Sequence, residues 1–355
     1  MKKLNILFNS FTLFNNDYKN FMKVWILTDD RIGSANQSMG LAEFLVQDKY
    51  ITKKIVYNNF VKLPNILRKS IFLGVDFSKS DKLGDDYPDL VIFAGRRLAP
   101  VALDIKKKSQ NKTKIVCNMH PSMSLNGFDF VVLPEHDGYK GNSSNVLVTN
   151  GSINRVKTEN MKKDGDKWKK ALEKLPKPYV GFLIGGDTKS TQFPPEEFGK
   201  LTKQLSKLTK DLGGSLLITT SRRTGLECLA KLKANLNCPY YLYDWNDENK
   251  KAPKDKNPLG NPYFAYMGLS DYLVATCDSM SMVSEACSTG KPVYVYKPEG
   301  SGTKKHFRFS DGLIKNGFVK EITTNTKKLI KYKYEKLIES KRIAELIRKQ
   351  LKEKK

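Results

Sequence analysis

Ala275-Thr-Cys-Asp-Ser-Met-Ser-Met-Val-Ser-Glu-Ala-Cys-Ser-Thr-Gly-Lys-Pro-Val-Tyr-Val-Tyr296 reads as a buried strand, a small polar turn, a short helix, a glycine stop and a second buried strand. Two strands this apolar, joined through a helix, belong to a parallel sheet covered on both faces. The turn Asp278-Ser279-Met280-Ser281, with Met282 behind it, lies where a helix starts after a strand ends. Backbone N–H groups there lack intrahelical acceptors, and the helix dipole favours an anion. Glu285 follows within two helical turns, in reach of the hydroxyls of a ribose. Such a turn suits a nucleotide diphosphate.

The same logic extends outward. Apolar runs at 179–184, 216–220, 240–243 and 272–277 alternate with helical spacings, as do runs at 24–28, 51–57, 90–94, 113–117, 128–133 and 145–149. Pro194-Pro195-Glu196-Glu197 opens a helix with proline in its first turn and acids at its positive end. The polar segment 29–34 is expected as a loop ahead of a helix over 36–47, and 244–260 as a long polar loop. The expected fold class is α/β: two Rossmann-like doubly wound domains facing a cleft. Residues 1–21 form an extension, 22–160 an N-terminal domain, 161–177 a lysine-rich linker, 178–324 a C-terminal domain and 325–355 a basic amphipathic tail. That tail either packs on the body or lies on an anionic membrane.

Doubly wound sheets bind ligands at the carboxyl ends of their strands, so strand-to-helix loops are the ones to weigh. In the C-terminal half, Gly185-Gly186-Asp187 is either a close approach of backbone to ligand or a plain tight turn. Ser221-Arg222-Arg223 sets two guanidinium groups at a strand end, suited to phosphate or carboxylate. Lys304-Lys305-His306 is either added charge over a diphosphate or a solvated charge run. In the N-terminal half, Asp29, Asp30, Arg31, Gly33, Asn36 and Gln37 crowd one strand end. Arg96 and Arg97 stand at another, and His120, Glu135 and His136 at two more. Histidine in such a loop is either passive or a general base. No spacing marks a metal site, and neither a dinucleotide fingerprint nor a Walker A sequence occurs.

Composition narrows the classes. At 355 residues and 39% hydrophobic, the chain buries sizeable cores without disulfides or metal. Its five cysteines form no Cys-x-x-Cys pair, which points to reduced core thiols in a cytoplasmic setting. The formal charge of +25 is either lysine on solvated faces or a match to an anionic partner such as a membrane or glycolipid. No nucleic-acid motif accompanies it, and no apolar run reaches 18 residues.

Residues 22–36, 88–100, 118–121, 128–137, 145–156, 185–187, 221–224, 261–263 and 276–293 together resemble the mitochondrial-fission Elm-type family of bacteria and plants. The resemblance runs from Met22 to about Val319. That family looks like the GT-B glycosyltransferases. Its strand, Ser-Met turn, Glu-Ala helix and Gly-Lys-Pro-Val segment is similar to the donor site of the N-acetylglucosamine transferase of peptidoglycan synthesis. By that resemblance Glu285 holds the ribose, and Ser279, Met280, Ser281 and Met282 lie by the diphosphate. The glycine-rich loop with histidine of that transferase is replaced here by residues 29–37. Plant members of the family are implicated in recruiting fission machinery.

The resemblance and the loops together imply a glycosyltransferase taking a nucleotide-sugar donor to a cell-envelope or lipid-linked acceptor, without metal or other cofactor. Donor contacts would come from Gly185, Gly186, Asp187, Ser221, Arg222, Arg223, Asp278, Ser279, Met280, Ser281, Met282 and Glu285. The acceptor side would hold Arg31, Gly33, Asn36, Gln37, Arg96, Arg97, Glu135 and His136, with Asp29, Asp30 or His120 as base. A nucleotide-sugar 2-epimerase and a non-catalytic membrane-associated scaffold are the alternatives. Product analysis separates the first. The second predicts partner binding that survives changes in the loops. The expected location is cytoplasmic, or peripheral on the inner face of a membrane.

Overall fold

Strand-forming runs with apolar residues at every position become the interior strands of two six-stranded parallel sheets. The computed structural model describes residues 22–47, 49–62, 74–188, 192–298 and 302–353. The extension 1–21 and part of the basic segment before Leu73 lie outside them. The chain divides into two units. Unit 1 comprises Met1–Thr149, Ile153–Arg155 and Ile338–Lys355; unit 2 comprises Asn150–Ser152 and Val156–Leu337.

Unit 1 holds β1 (Val24–Thr28), β2 (Ile51–Lys54), β3 (Leu90–Ala94), β4 (Lys114–Asn118), β5 (Phe130–Pro134) and β6 (Val146–Thr149) in the order β2-β1-β3-β4-β5-β6. Alternation sends Val24, Ile26, Leu90, Ile92 and Val116 to one face, under Leu41, Ala42 and Leu45 of α1 (Ile32–Leu45). Trp25, Leu27, Val91, Phe93 and Ile115 go to the other, against Val101, Ala102 and Ile105 of α2 (Ala99–Lys108). The strand order reverses between β1 and β3, so a crevice opens at their carboxyl ends.

Unit 2 holds β7 (Tyr179–Leu183), β8 (Ser215–Thr219), β9 (Tyr240–Tyr243), β10 (Tyr272–Thr276), β11 (Val293–Tyr296) and β12 (Lys320–Ile322) in the order β12-β11-β10-β7-β8-β9. Numbered within the unit this is the Rossmann order 3-2-1-4-5-6, with its switch point between β7 and β10. Its helices are α3 (Thr158–Leu172), α4 (Pro195–Asp211), α5 (Leu226–Asn235), α6 (Trp245–Lys250), α7 (Tyr263–Leu269), α8 (Met280–Cys287) and α9 (Lys304–Lys315). Phe198, Leu201, Leu205 and Leu208 of α4 cover one face; Val283 and Ala286 of α8 with Phe309 and Leu313 of α9 cover the other. The fold class read from sequence, two Rossmann-like α/β units, is the one this topology shows.

Several boundaries differ from expectation. Helix α1 starts at Ile32, inside the expected loop, because the Asp29 carboxylate turns the chain back onto the Arg31 amide and the Arg31 carbonyl accepts from Ser34 and Ala35. Most of the expected linker is α3. Met161, Gly165, Trp168 and Leu172 form its buried stripe, masked in sequence by lysines on the solvent face. The Asp244 carboxylate caps α6 within the expected loop 244–260. The expected tail is split. Its first part lies on unit 2, where the Tyr332 hydroxyl accepts from the Val293 amide at 2.9 Å and Leu329 is buried. Its end is α10 (Glu339–Glu353), which buries Ile343, Ala344 and Ile347 in the core of unit 1.

Candidate functional site

At the β7/β10 switch point three loops are sewn together around Asp278. Gly186 N donates to Asp278 Oδ2 at 2.8 Å, and Gly185 N to Thr276 Oγ1 at 2.9 Å. Arg223 Nη2 lies 2.9 Å from the same Asp278 oxygen, while Arg223 Nη1 donates to the carbonyls of Gly186 at 2.7 Å and Asp187 at 3.0 Å. Ser221 and Thr224 hydroxyls both donate to the Gly185 carbonyl. The Asp187 carboxylate accepts from the Phe193 amide, 2.8 Å away. A Cβ on Gly185 would stand 2.0 Å from Asp278 Oδ2, and one on Gly186, at φ +147°, 2.2 Å from the Arg223 carbonyl oxygen. Glycine is therefore required here for loop-to-loop packing, whatever binds outside it.

The two arginines of Ser221-Arg222-Arg223 have different fates. Arg223 is committed to Asp278 and two carbonyls. Arg222 is exposed, with no ion pair among the described residues. Beside it, α8 begins at Met280 with Ser279 as N-cap, no side-chain cap and no acid in its first turn. Ser279, Met280 and Met282 are half-buried and Ser281 is exposed. The first-turn amides are thus left for an outside acceptor. Glu285 stands on the next turn. It is half-buried, and the Tyr263 hydroxyl donates to its Oε2. Desolvation pushes the Glu285 carboxyl up to about 7, with the Tyr263 hydrogen bond pulling the other way. The Tyr263 hydroxyl is in turn held well above its ordinary value by burial and by the Glu285 charge.

At the β1/β3 switch point of unit 1 an ion cluster forms. The buried Asp29 accepts from Arg31 N at 3.0 Å and Arg31 Nε at 2.8 Å, with Arg97 Nη1 3.7 Å away. Arg97 Nη1 also pairs with the exposed Asp30 at 2.7 Å. Gly95, at φ +77°, lets Arg31 and Met119 close over it. A cavity of about 560 Å³ opens here, lined by Asp30, Lys54, Tyr57, Asn58 and Arg97 among others. Gly33, Asn36 and Gln37 lie on the first turns of α1, and Arg96 in the turn before α2. His120, after β4, accepts from the Ser122 amide through Nδ1 at 3.0 Å. In a 3₁₀ turn after β5, Glu135 is exposed, and buried His136 has Nε2 3.8 Å from Asp137 Oδ1.

Geometry thus joins Asp29, Asp30, Arg31 and Arg97 in unit 1, and Gly185, Gly186, Asp187, Ser221, Arg223 and Asp278 in unit 2. Tyr263, inside the 261–263 segment of the family resemblance, is a site residue not expected from sequence. A tyrosine opening a helix just ahead of a buried strand was the available signal. Unit 2 also has a cavity of about 690 Å³ beside β9, α5 and α6, which includes none of the β7/β10 residues. No group of three or more His, Cys, Asp or Glu able to hold a metal occurs among the described residues.

The family described as Mitochondrial fission ELM1 matches residues 32–351. This chain belongs to that family. The ELM1 match takes in every unit 2 site residue, and in unit 1 stops short of Asp29, Asp30 and Arg31. The chain is 30% identical over 356 residues to "Uncharacterized protein RP120" of Rickettsia prowazekii (strain Madrid E), covering 92% of this chain and 98% of that one. It is 28% identical over 259 residues to "Mitochondrial fission protein ELM1" of Arabidopsis thaliana, covering 67% of this chain and 58% of the plant protein. Among solved structures it is similar to a UDP-GlcNAc 2-epimerase from Neisseria meningitidis bound to UDP-GlcNAc, at TM-score 0.49 and 14% identity over 94% of this chain and 100% of the other. It is also similar to MurG of Acinetobacter baumannii, at TM-score 0.45 and 14% identity over 93% and 90%. At those scores the likeness says nothing about activity.

Proposed function

We propose that this ELM1-family chain is a GT-B-type glycosyltransferase whose unit 2 binds a nucleotide-activated sugar. The observation that carries it is the β7/β10 switch point, where an uncapped helix start is followed one turn on by a half-buried carboxylate. The first-turn amides of α8 would accept the diphosphate, with Arg222 adding charge. Glu285, oriented by Tyr263, would accept hydrogen bonds from the ribose hydroxyls. Helix amides and guanidinium together neutralise the departing diphosphate.

For the base that takes the proton of an acceptor hydroxyl, Asp30 is the best placed of the three candidates. Asp29 is buried and locked to Arg31. Neutral His120 accepts through Nδ1, so its Nε2 carries a proton and offers no lone pair. Asp30 keeps an exposed carboxylate beside a cavity. The charge of +25 suits an acceptor at an anionic membrane surface. No described helix is long and apolar enough to cross a membrane.

Titration calorimetry of the full chain with UDP, GDP, ADP and CMP tests the donor site. One of the diphosphates is expected to bind, and Glu285→Ala to weaken it by about tenfold or more, roughly 1.4 kcal/mol. A folded protein that binds none of them overturns the proposal.

A further inference from the structure

The cavity at the β1/β3 switch point of unit 1 is rich in hydrogen-bond donors. Its lining carries two cations, Lys54 and Arg97, and one acid, Asp30. The Lys54 ammonium is exposed and has no ion pair among the described residues. Arg97 Nη1 pairs with Asp30 at 2.7 Å, with Asp29 3.7 Å away; its Nε and Nη2 have no partner among the described residues. The Phe60 amide donates to Asn58 Oδ1 at 3.0 Å. An amide N–H can only donate, so this contact fixes the Asn58 oxygen and leaves both Nδ2 protons free. Asp81 accepts from the Lys54 amide at 2.7 Å but does not line the cavity.

These donors stand on a fixed frame. The Ile55 amide donates to the Thr28 carbonyl at 2.8 Å and ties the end of β2 to β1. The Asn58 amide donates to the Gly74 carbonyl at 2.9 Å. The Tyr57 hydroxyl donates to the Arg97 carbonyl at 2.9 Å and so joins the loop after β2 to the turn before α2. Donors from three separate segments, two of them charged, suit a ligand group with negative charge and several oxygens. At about 560 Å³ the cavity falls within the roughly 300–1,000 Å³ of small-molecule sites.

We propose that this cavity binds a phosphate group, and that the acceptor carries it. Lys54 Nζ, Asn58 Nδ2 and the free edge of Arg97 would donate to its oxygens. Asp30, bound to Arg97 Nη1, is the one lining group whose charge opposes it. The acceptor role rests on the reading of Asp30 as base; the phosphate site does not.

Calorimetric titration of the full chain with glycerol 3-phosphate tests the site. Flotation with phosphatidic-acid vesicles, against phosphatidylcholine vesicles, tests the same group as a lipid headgroup. Lys54→Met keeps the apolar stem, and Asn58→Asp keeps an oxygen for the Phe60 amide. Each is expected to weaken glycerol 3-phosphate by about fivefold or more at an unchanged melting temperature. Asp30→Asn keeps an oxygen for Arg97 and removes the opposing charge, so it should tighten binding by about threefold. Arg222→Ala, in unit 2, should leave affinity within about twofold. Vesicle capture that needs phosphatidic acid and is lost in Lys54→Met, without glycerol 3-phosphate binding, upholds the site and assigns it to a lipid headgroup. A folded chain that binds neither probe overturns the inference. So does binding that survives in both Lys54→Met and Asn58→Asp, binding lost in Arg222→Ala instead, or acetate bound as tightly as glycerol 3-phosphate. Each of these leaves the donor reading to its own nucleotide titration. Phosphate bound here when no nucleotide binds upholds the site and removes only its acceptor role.

Discussion

Glu285 is where the chemistry of one residue is most exposed to test. Its folded pKa is raised to about 7 from an ordinary 4.5, so the unfolded chain ionises first. Stability is then greatest below 4.5 and declines as pH rises to 7, beyond which a charged, poorly solvated carboxylate remains. Each pKa unit corresponds to about 1.4 kcal/mol. Partial exposure of Glu285 trims the whole effect to about 1–3 kcal/mol. Glu285→Gln is therefore expected to stabilise the ligand-free protein at pH 8 and to leave it nearly unchanged at pH 4, measured by urea unfolding. A variant equally or less stable than wild type at pH 8 contradicts the assignment. Gly185 makes the opposite kind of residue-scale claim. The 2.0 Å approach of a Cβ to Asp278 Oδ2 means Gly185→Ala must open the joint, with an expected loss of about 2–4 kcal/mol. Thermal unfolding at wild-type values would show that the loop adjusts freely.

Among elements, the strand-to-helix loops divide into what holds the fold and what is left for a ligand. Arg222 and Arg223 are adjacent and identical in type, so their sequence could not separate them. Arg223 joins the loops after β7, β8 and β10 through Asp278. Removing it strands a buried carboxylate, and Arg223→Ala is expected to cost about 3 kcal/mol or more. Arg222→Ala should leave stability within about 0.5 kcal/mol and act on anion binding instead. Equal melting temperatures for the two variants would refute this division. The interior strands were legible because burial on both faces writes an unbroken apolar run, as in Leu90–Ala94. Edge strand β12, three residues of which two are exposed, carries no such signal. Helix α3 was hidden for the converse reason: its apolar stripe is one residue in four among lysines, and Trp168 alone is fully buried and large. The Tyr263–Glu285 contact joins residues 22 positions apart on two helices, a separation that local pattern does not encode.

For the whole molecule, chain order and packing order part company at the end. The last segment, Ile338–Lys355, packs with the first 149 residues rather than with the unit that precedes it. Sequence showed its amphipathic character but not which surface its apolar face meets. That surface is the core of unit 1: Ile343, Ala344 and Ile347 are all fully buried there. Arg348 donates to the Phe44 and Leu45 carbonyls at the carboxyl end of α1, which has no basic residue in its own last turn. Ser340 Oγ donates to the Asn154 carbonyl at 2.6 Å. An apolar face used this way is not open to a bilayer, so charge rather than insertion would govern any membrane contact of α10. Each isoleucine contributes about 1.5–3 kcal/mol by burial, so the helix supplies a large share of a stability of 5–15 kcal/mol. A chain ending at Leu337 is expected to lose cooperative unfolding of unit 1 and to expose its apolar sheet face. Ile343→Asp, which preserves helix length and solubility, should cost about 3–5 kcal/mol by placing a carboxylate in the apolar cluster that α10 shares with α1 and β6. Amide exchange read strand by strand decides the matter: protection should fall across the strands of unit 1, β6 first, and hold in β7, β8 and β10. Unchanged protection in unit 1 would mean that α10 is a passenger on that face rather than part of its core.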